Sequence, residues 1–229
     1  MSFFKFSESI EIGEIGEFPQ SPKMVNGYNV ESEDSLYKVN WNERIPNQPN
    51  LISFELSRKA RLTDVISSVT VNSQAALLIS NDLLNFFKGY NLPNEVQCFN
   101  AAVIHGSITH EDYHLLFVYE RGLDFIDFSN SYFERKSFFD YRKVSNVQFQ
   151  SKYDYLEKLE IDKITGDLCS YEPLKLSLLL HEIPYDLVRI SLGINGYLVS
   201  SRLSESLRRS TFTGFELASL DRFDFIFKS

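Results

Sequence analysis

Leu77-Leu78-Ile79-Ser80-Asn81-Asp82-Leu83-Leu84-Asn85-Phe86-Phe87 and Tyr197-Leu198-Val199-Ser200-Ser201-Arg202-Leu203-Ser204-Glu205-Ser206-Leu207 decide the fold, because one pattern runs through both stretches. Each begins as a short apolar run, read as a buried strand, and reaches a serine. A serine placed there can accept hydrogen bonds from the amides that the first turn of a helix leaves unpaired. Apolar residues then recur four apart, Leu83 with Phe87 and Leu203 with Leu207, which puts them on one helix face. Setting Ser80 on Ser200 also aligns Ile79 with Val199. Each stretch continues through polar residues into another apolar run, Val96-Gln97-Cys98-Phe99 in one and Phe215-Glu216-Leu217 in the other. The second run follows Gly214, which suits a position of positive φ. Two origins fit the match: a repeated strand–helix–strand unit, or independent use of a common strand–cap–helix element.

Working outward, the segment between the copies is rich in strand signals. Tyr113, Leu115, Phe117 and Tyr119 alternate with His114, Leu116 and Val118, and Glu120-Arg121-Gly122 supplies a turn. Leu123 to Phe128 is expected to return as the second strand of a hairpin. Ser151 to Leu159 has helical spacing, and Leu174, Leu176, Leu178 and Leu180 alternate as a strand before Pro184. Tyr185 to Ile190 reads equally as a short strand or a helix. Upstream, Leu51 to Ser57 alternates as a half-buried strand, and Arg61 to Ile66 is expected to start a helix with Thr63 as its N-cap.

The first fifty residues differ. Four of the seven prolines (Pro19, Pro22, Pro46 and Pro49) lie there with Gly13, Gly16 and Gly27, so short extended pieces are expected instead of long helices. Residues 1–34 carry seven acids (Glu8, Glu11, Glu14, Glu17, Glu31, Glu33 and Asp34) against Lys5 and Lys23. Ile10, Ile12, Ile15 and Phe18 sit between the first four acids as apolar anchors. Such a segment reads as an edge strand kept soluble by charge, or as an acidic surface that meets a partner.

The whole chain of 229 residues has 31 acids against 23 bases, a net charge of −8. That balance argues against a nucleic-acid surface, which needs a basic footprint, and permits a basic protein partner. Cys98 and Cys169 are too few for a disulfide framework or a metal knot. Cys98, in an apolar run, is expected to be a core residue. Neither an apolar leader nor a run of roughly 20 apolar residues is present, so membrane insertion is not expected and the cytoplasm is the expected compartment.

Chemistry-bearing motifs are weak. His105, His110 and His114 are spaced five and four apart, which does not put all three on one strand face, and no metal-ligand motif accompanies them. His181-Glu182 is not part of an H-E-x-x-H helix, and Gly13-Glu14-Ile15-Gly16 lacks the spacing of a phosphate loop. Asp124 and Asp127, three apart on an expected strand, would point to opposite faces. Tyr132, Phe133, Phe138, Phe139 and Tyr141 lie among Arg135, Lys136, Arg142 and Lys143. That mixture suits either a single-strand nucleic-acid platform or a core roofed by cations, and the acidic total favours the core. No catalytic residue, cofactor site or metal site is assigned, and the chain is read as a non-enzyme.

The order of segments resembles immunity proteins of bacterial polymorphic toxin systems, in particular the related families numbered eleven and forty-three. The resemblance is carried by Ile79-Ser80-Asn81-Asp82-Leu83-Leu84, Tyr113-His114-Leu115-Leu116-Phe117 and Phe125-Ile126-Asp127-Phe128-Ser129-Asn130-Ser131. It continues through Asp186-Leu187-Val188-Arg189-Ile190, Leu198-Val199-Ser200-Ser201-Arg202-Leu203 and Thr213-Gly214-Phe215-Glu216. It spans about residues 51 to 220 and leaves out the acidic arm. It implies a non-enzymatic binder that protects its producer by occluding a cognate protein toxin. Ser80, Asp127, Ser200 and Gly214 read as cap and turn positions on this view too.

The expected molecule is a single α+β domain over residues 1–229, with short helices on a mostly antiparallel or mixed sheet and two similar strand–helix–strand units. Residues 1–50 form an acidic extended arm packed on it or projecting from it. The partner is a cognate toxin, a basic one by charge, with Glu8, Glu11, Glu14 and Glu17 as partner-facing residues and no nucleic acid or membrane involved. Two other readings compete. One is a small-molecule hydrolase or transferase near His105, His110 and His114. The other is a self-associating scaffold whose interface is the Phe/Tyr-rich middle.

Overall fold

The structure, a computed structural model, describes all residues except 1, 25–28, 30, 34, 48, 50–52, 72–74, 120, 138, 168, 221–224 and 228–229. Gly27, Asp34, Leu51, Ile52, Glu120 and Phe138 therefore lie outside the described residues. Among the described residues four α-helices and three sheets make an α+β fold with mostly antiparallel pairing. The largest sheet holds β2 (Lys23–Met24), β3 (Phe54–Glu55), β4 (Val65–Ile66), β5 (Ala76–Ser80), β6 (Val96–His105) and β7 (Ile108–Val118) in the order β2-β3-β6-β7-β5-β4. A second has β1 (Phe3–Glu8), β11 (Leu187–Ile190), β12 (Gly196–Ser200) and β13 (Phe215–Ser219) in the order β11-β12-β1-β13. A third has β8 (Tyr132–Ser137), β9 (Lys143–Val147), β10 (Cys169–Leu178) and β14 (Phe225–Phe227) in the order β14-β10-β8-β9. Among the described strands, β3 with β6 and β10 with β14 run parallel and the other pairs are antiparallel. The helices are α1 (Ile12–Ile15), α2 (Asn81–Phe87), α3 (Lys152–Thr165) and α4 (Ser201–Arg209).

The two matched stretches belong to two equivalent units. In the first, β4, β5, α2, β6 and β7 follow one another and the strands lie in the order β4-β5-β7-β6. In the second, β11, β12, α4 and β13 follow the same course, but the place of β7 is taken by β1 from the other end of the chain. Registers agree residue for residue. Val65 faces Ile79 as Leu187 faces Val199, Ser80 faces Tyr113 as Ser200 faces Phe3, and Cys98 faces Leu116 as Leu217 faces Phe6. The second unit is thus a circularly permuted copy of the first. A shared strand–cap–helix element alone would not bring matching registers across four strands.

The equivalent faces of the two units pack on each other. Val65, Leu77, Ile79, Leu83, Phe87 and Leu116 share one buried cluster with their counterparts Leu187, Tyr197, Val199, Leu203, Leu207 and Phe6. Each side chain of this size gains about 1.5–3 kcal/mol on full burial. The other face of the first sheet is filled by Phe54, Phe99, Tyr113 and Phe117 with Leu36 and Ile45 from the N-terminal fifty residues. The other face of the second sheet is filled by Phe3, Val188, Ile190 and Leu198 against the third sheet and Tyr155 of α3.

Several sequence expectations are corrected by this packing. The N-terminal segment supplies an interior strand, not an edge, because β1 lies between β12 and β13 and its Phe3 and Phe6 are buried on opposite faces. Thr63 caps no helix; its hydroxyl bonds the Val65 carbonyl at 2.7 Å and Val65–Ile66 pairs with β5. Leu123 to Phe128 is no hairpin return: Leu123–Phe125 and Phe128–Asn130 are short 3-10 turns, and β7 pairs with β6 instead. Asp127 caps the second of those turns by accepting from Asn130 N at 3.2 Å. Cys98 is exposed, not a core residue. Residues 187–190 resolve as a strand, and α3 starts on the Ser151 cap, whose Oγ accepts from Asp154 N at 3.2 Å.

Candidate functional site

Residues 8–17 leave β1 and lie over residues 57–61 and the start of β13. The backbone there is pinned at nearly every step. Ser9 N donates to Gly214 O at 2.9 Å, and Ile10 N to Glu216 Oε1 at 3.2 Å. Arg61 donates from its guanidinium to Gly13 O at 2.6 Å and from its backbone to Ile15 O at 2.7 Å. Ile15 is fully buried beneath the single turn of α1, while Ile10 and Ile12 are 61 % and 55 % exposed.

The four glutamates of this segment have different surroundings. Glu14 accepts from Gly214 N at 2.8 Å, and Glu17 accepts from Ser57 Oγ at 2.5 Å, so both hold the segment to its base. Glu8 ends β1 beside Phe215, at the position that the buried Val118 occupies in the first unit. Burial pushes its carboxyl up to about 8, and Oε1 finds no hydrogen-bond partner among the described residues. Glu11 is the one whose side chain is exposed, at the N-cap position of α1 and between the two exposed isoleucines. The structure therefore groups all four in one segment and presents Ile10, Glu11 and Ile12 outward.

The serines of the two units are structural. Ser80 Oγ accepts from Leu83 N at 3.2 Å and donates to Asp64 Oδ1 at 2.7 Å. Ser200 Oγ accepts from Leu203 N at 3.2 Å and donates to Asp186 Oδ1 at 2.6 Å. The second carboxylate oxygens reach across to the other unit: Asp64 Oδ2 accepts from Thr213 N and Asp186 Oδ2 from Asn91 N, both at 2.9 Å. Arg202 also pairs with Asp186. Burial alone would raise the Asp186 carboxyl, but the bonds from Arg202 and Ser200 outweigh it and hold the group below its ordinary value. No local motif marks these aspartates as the partners of their serines, which lie 16 and 14 residues later in the chain.

No protein-family model matches this chain, and no curated protein sequence matches it. The resemblance to the immunity proteins therefore stands on segment order alone.

The histidines do not converge on a site. His105 lies on β6, and His110 and His114 lie on β7. His114 Nε2 is 3.2 Å from Asn81 Oδ1, and partial burial lowers its pKa. Among the described residues no group of three His, Cys, Asp or Glu side chains is placed to hold a metal ion. The basic residues of the aromatic-rich middle are spent on local carboxylates. Arg135 pairs with Asp162 at 3.2 Å and also with Asp167, Lys143 pairs with Glu134 at 3.1 Å, and Arg142 pairs with Asp140 at 3.3 Å. Phe133 is core, as the cation-roofed reading expects, whereas Tyr132, Phe139 and Tyr141 are exposed. Asp124 pairs with Lys152 on α3, away from the cap formed by Asp127. Among the described residues no helix is long and apolar enough to cross a membrane.

Proposed function

We propose that this chain is an immunity-type inhibitor that binds a basic cognate protein toxin in the cytoplasm and blocks it by occlusion and charge, without catalysis. The observation that carries the reading is the Ile10-Glu11-Ile12 projection, two exposed aliphatic side chains around a carboxylate on a pinned backbone. Exposed aliphatic surface costs free energy in water and returns it when a partner covers it. A backbone already held by Glu14, Arg61 and Glu216 loses little conformational entropy on docking. The carboxylate, in a chain of net charge −8, accelerates encounter with a basic surface and disfavours an acidic one. The order of segments over residues 51–220 supports the same reading. Placing the projection outside those segments agrees with a scaffold shared by inhibitors whose contact residues differ.

The test is whether the protein encoded beside this gene kills a bacterial host and whether co-expression of this chain restores survival. Protection by the wild type, lost in an Ile10→Asp/Ile12→Asp variant of unchanged melting temperature, is the expected result. Absence of protection by the wild type would end the proposal. Full protection by the double variant would move the contact surface elsewhere.

A further inference from the structure

Residues between 33 and 49 line an open cavity of about 590 Å³, a size in the range of small-molecule sites. Its walls are two short pieces of chain that the folded core holds in place. On one side lies the 3-10 turn Leu36–Lys38, capped by Ser35, whose Oγ accepts from Tyr37 N at 3.3 Å. On the other, the side-chain amide of Gln97 on β6 grips Ile45 at both backbone groups, accepting from its N and donating to its O at 2.8 Å each. Between them Arg189 of β11 donates to Trp41 O at 2.5 Å and to Asn42 Oδ1 at 3.3 Å. The backbone is thus ordered before any ligand enters, so little conformational entropy is lost on binding. The apolar lining is Ile45 and Pro49, both buried, with the partly buried Val39. The charged lining is Glu33 and Glu43 against Lys38 and Arg44, all exposed. Lys38 is engaged by Glu31, whereas among the described residues Glu33, Glu43 and Arg44 make no ion pair.

We infer that this cavity binds a small zwitterion with an apolar body, a free amino acid or a short peptide with both ends free. Two carboxylates against two cations leave the lining neutral overall, which favours neither a polyanion such as a nucleotide nor a polycation. A carboxylate of Glu33 or Glu43 can accept from an ammonium group, and the Arg44 guanidinium can donate paired N–H groups to a carboxylate. A ligand with a single charge would use one of these sets and leave the other idle. Val39, Ile45 and Pro49 give an aliphatic side chain cover from water. The charged groups stay in contact with solvent, so their attraction is screened and binding in the roughly millimolar range is expected. The cavity shares no residue with the Ile10-Glu11-Ile12 projection, and its ligand is independent of toxin binding.

Titration of the isotope-labelled protein with leucine, followed by NMR, tests it. Leucine should shift the backbone amides of Asn40, Glu43 and Arg44 in a saturable way. Leucinamide and N-acetyl-leucine, each lacking one of the two charges, should bind roughly tenfold more weakly. Arg44→Gln should weaken leucine by a similar factor without weakening leucinamide, which has no carboxylate to lose. Glu33→Gln/Glu43→Gln should weaken leucine without weakening N-acetyl-leucine, which has no ammonium. These positions are exposed, so the amide spectrum away from the cavity should match the wild type in both variants. Leucyl-leucine distinguishes the sources: binding tighter than leucine points to a peptide, and weaker binding to a free amino acid. A wild-type spectrum that responds to neither leucine nor leucyl-leucine would overturn the inference. Equal affinity for leucine and its two singly charged derivatives would overturn it too, as would shifts confined to residues outside 33–49.

Discussion

Asp64 and Asp186 each close the unit to which they do not belong. Asp64 holds its own Ser80 with Oδ1 and, with Oδ2, the Thr213 amide that follows α4 of the second unit. Asp186 holds its own Ser200 and the Asn91 amide that follows α2 of the first. The backbone repeats the exchange, since Val65 N donates to Thr213 O at 3.1 Å and Asp186 N to Asn91 O at 2.7 Å. The helix caps and the inter-unit contact are therefore one hydrogen-bond network at each end.

Removing either aspartate should cost more than an ordinary cap. Asp186→Ala leaves the Ser200 hydroxyl and the Asn91 amide without their acceptor, and about 2–4 kcal/mol is expected in urea unfolding at neutral pH. Arg202→Ala should cost far less than Asp186→Ala, because Arg202 is largely exposed and its pairing is screened by water. The pH sign follows from the lowered carboxyl of Asp186. Its contribution is complete above the ordinary value of 3.8 and is lost as pH falls through the lower folded value. Asp186→Asn should therefore flatten the acid side of the stability profile, and an unchanged acid limb would contradict the assignment.

Gly214 is where the Asp64 network meets the N-terminal segment. Its φ is +87°, and a Cβ there would lie 2.2 Å from the Val65 carbonyl oxygen, which is backbone and cannot step aside. Gly214→Ala should destabilise by at least about 2 kcal/mol. Gly106, at the β6–β7 turn, has φ +63° with open space where a Cβ would go. Gly106→Ala should cost about 1 kcal/mol, the conformational part alone. Equal thermal shifts for the two would mean that the close approach at Gly214 relaxes without cost.

Glu8 works against the fold at neutral pH. Its carboxyl is raised from 4.5 to about 8 by burial, so the folded state prefers the protonated form. Its stability contribution is intact below pH 4.5 and is lost as pH rises towards 8. Glu8→Gln should raise stability at pH 8 by roughly 1–3 kcal/mol and have little effect at pH 4. Urea midpoints at the two pH values check this, and a variant less stable at pH 8 would show that the ionised carboxylate is satisfied.

The parts of this fold legible in the sequence are those with local causes. Ser80 and Ser200 announce helix starts because a cap acts over three residues, and Gly214 announces a turn because its conformation is its own. The placement of β1 was hidden because strand partners are non-local. Phe3 to Glu8 pairs with residues about two hundred positions away, and only the missing fourth strand of the second unit shows why an acidic terminus must enter the core. Leu123 to Phe128 misled for the opposite reason. Its apolar content fits a strand, but the long β6 already fills the place beside β7. At the candidate site the isoleucines and glutamates were visible as types. Which of them face water depends on Gly214, Ser57 and Arg61, all distant in sequence.

That division separates the four glutamates by experiment. Glu11 is exposed and among the described residues bonds through its backbone, so Glu11→Lys should leave the melting temperature unchanged. It should slow association with a basic toxin several-fold and reduce the salt dependence of the rate, because steering by charge acts on encounter. Glu14→Lys removes the acceptor of the Gly214 amide and places a cation beside it, and Glu17→Lys removes the acceptor of Ser57. Both should lower stability by about 1–2 kcal/mol and weaken binding through a loosened Ile10-Glu11-Ile12 backbone, chiefly by faster dissociation. Stopped-flow association, dissociation and thermal melts on the three variants distinguish the roles. Identical behaviour of all three would mean that the segment acts as a diffuse acidic surface, with no pinned projection.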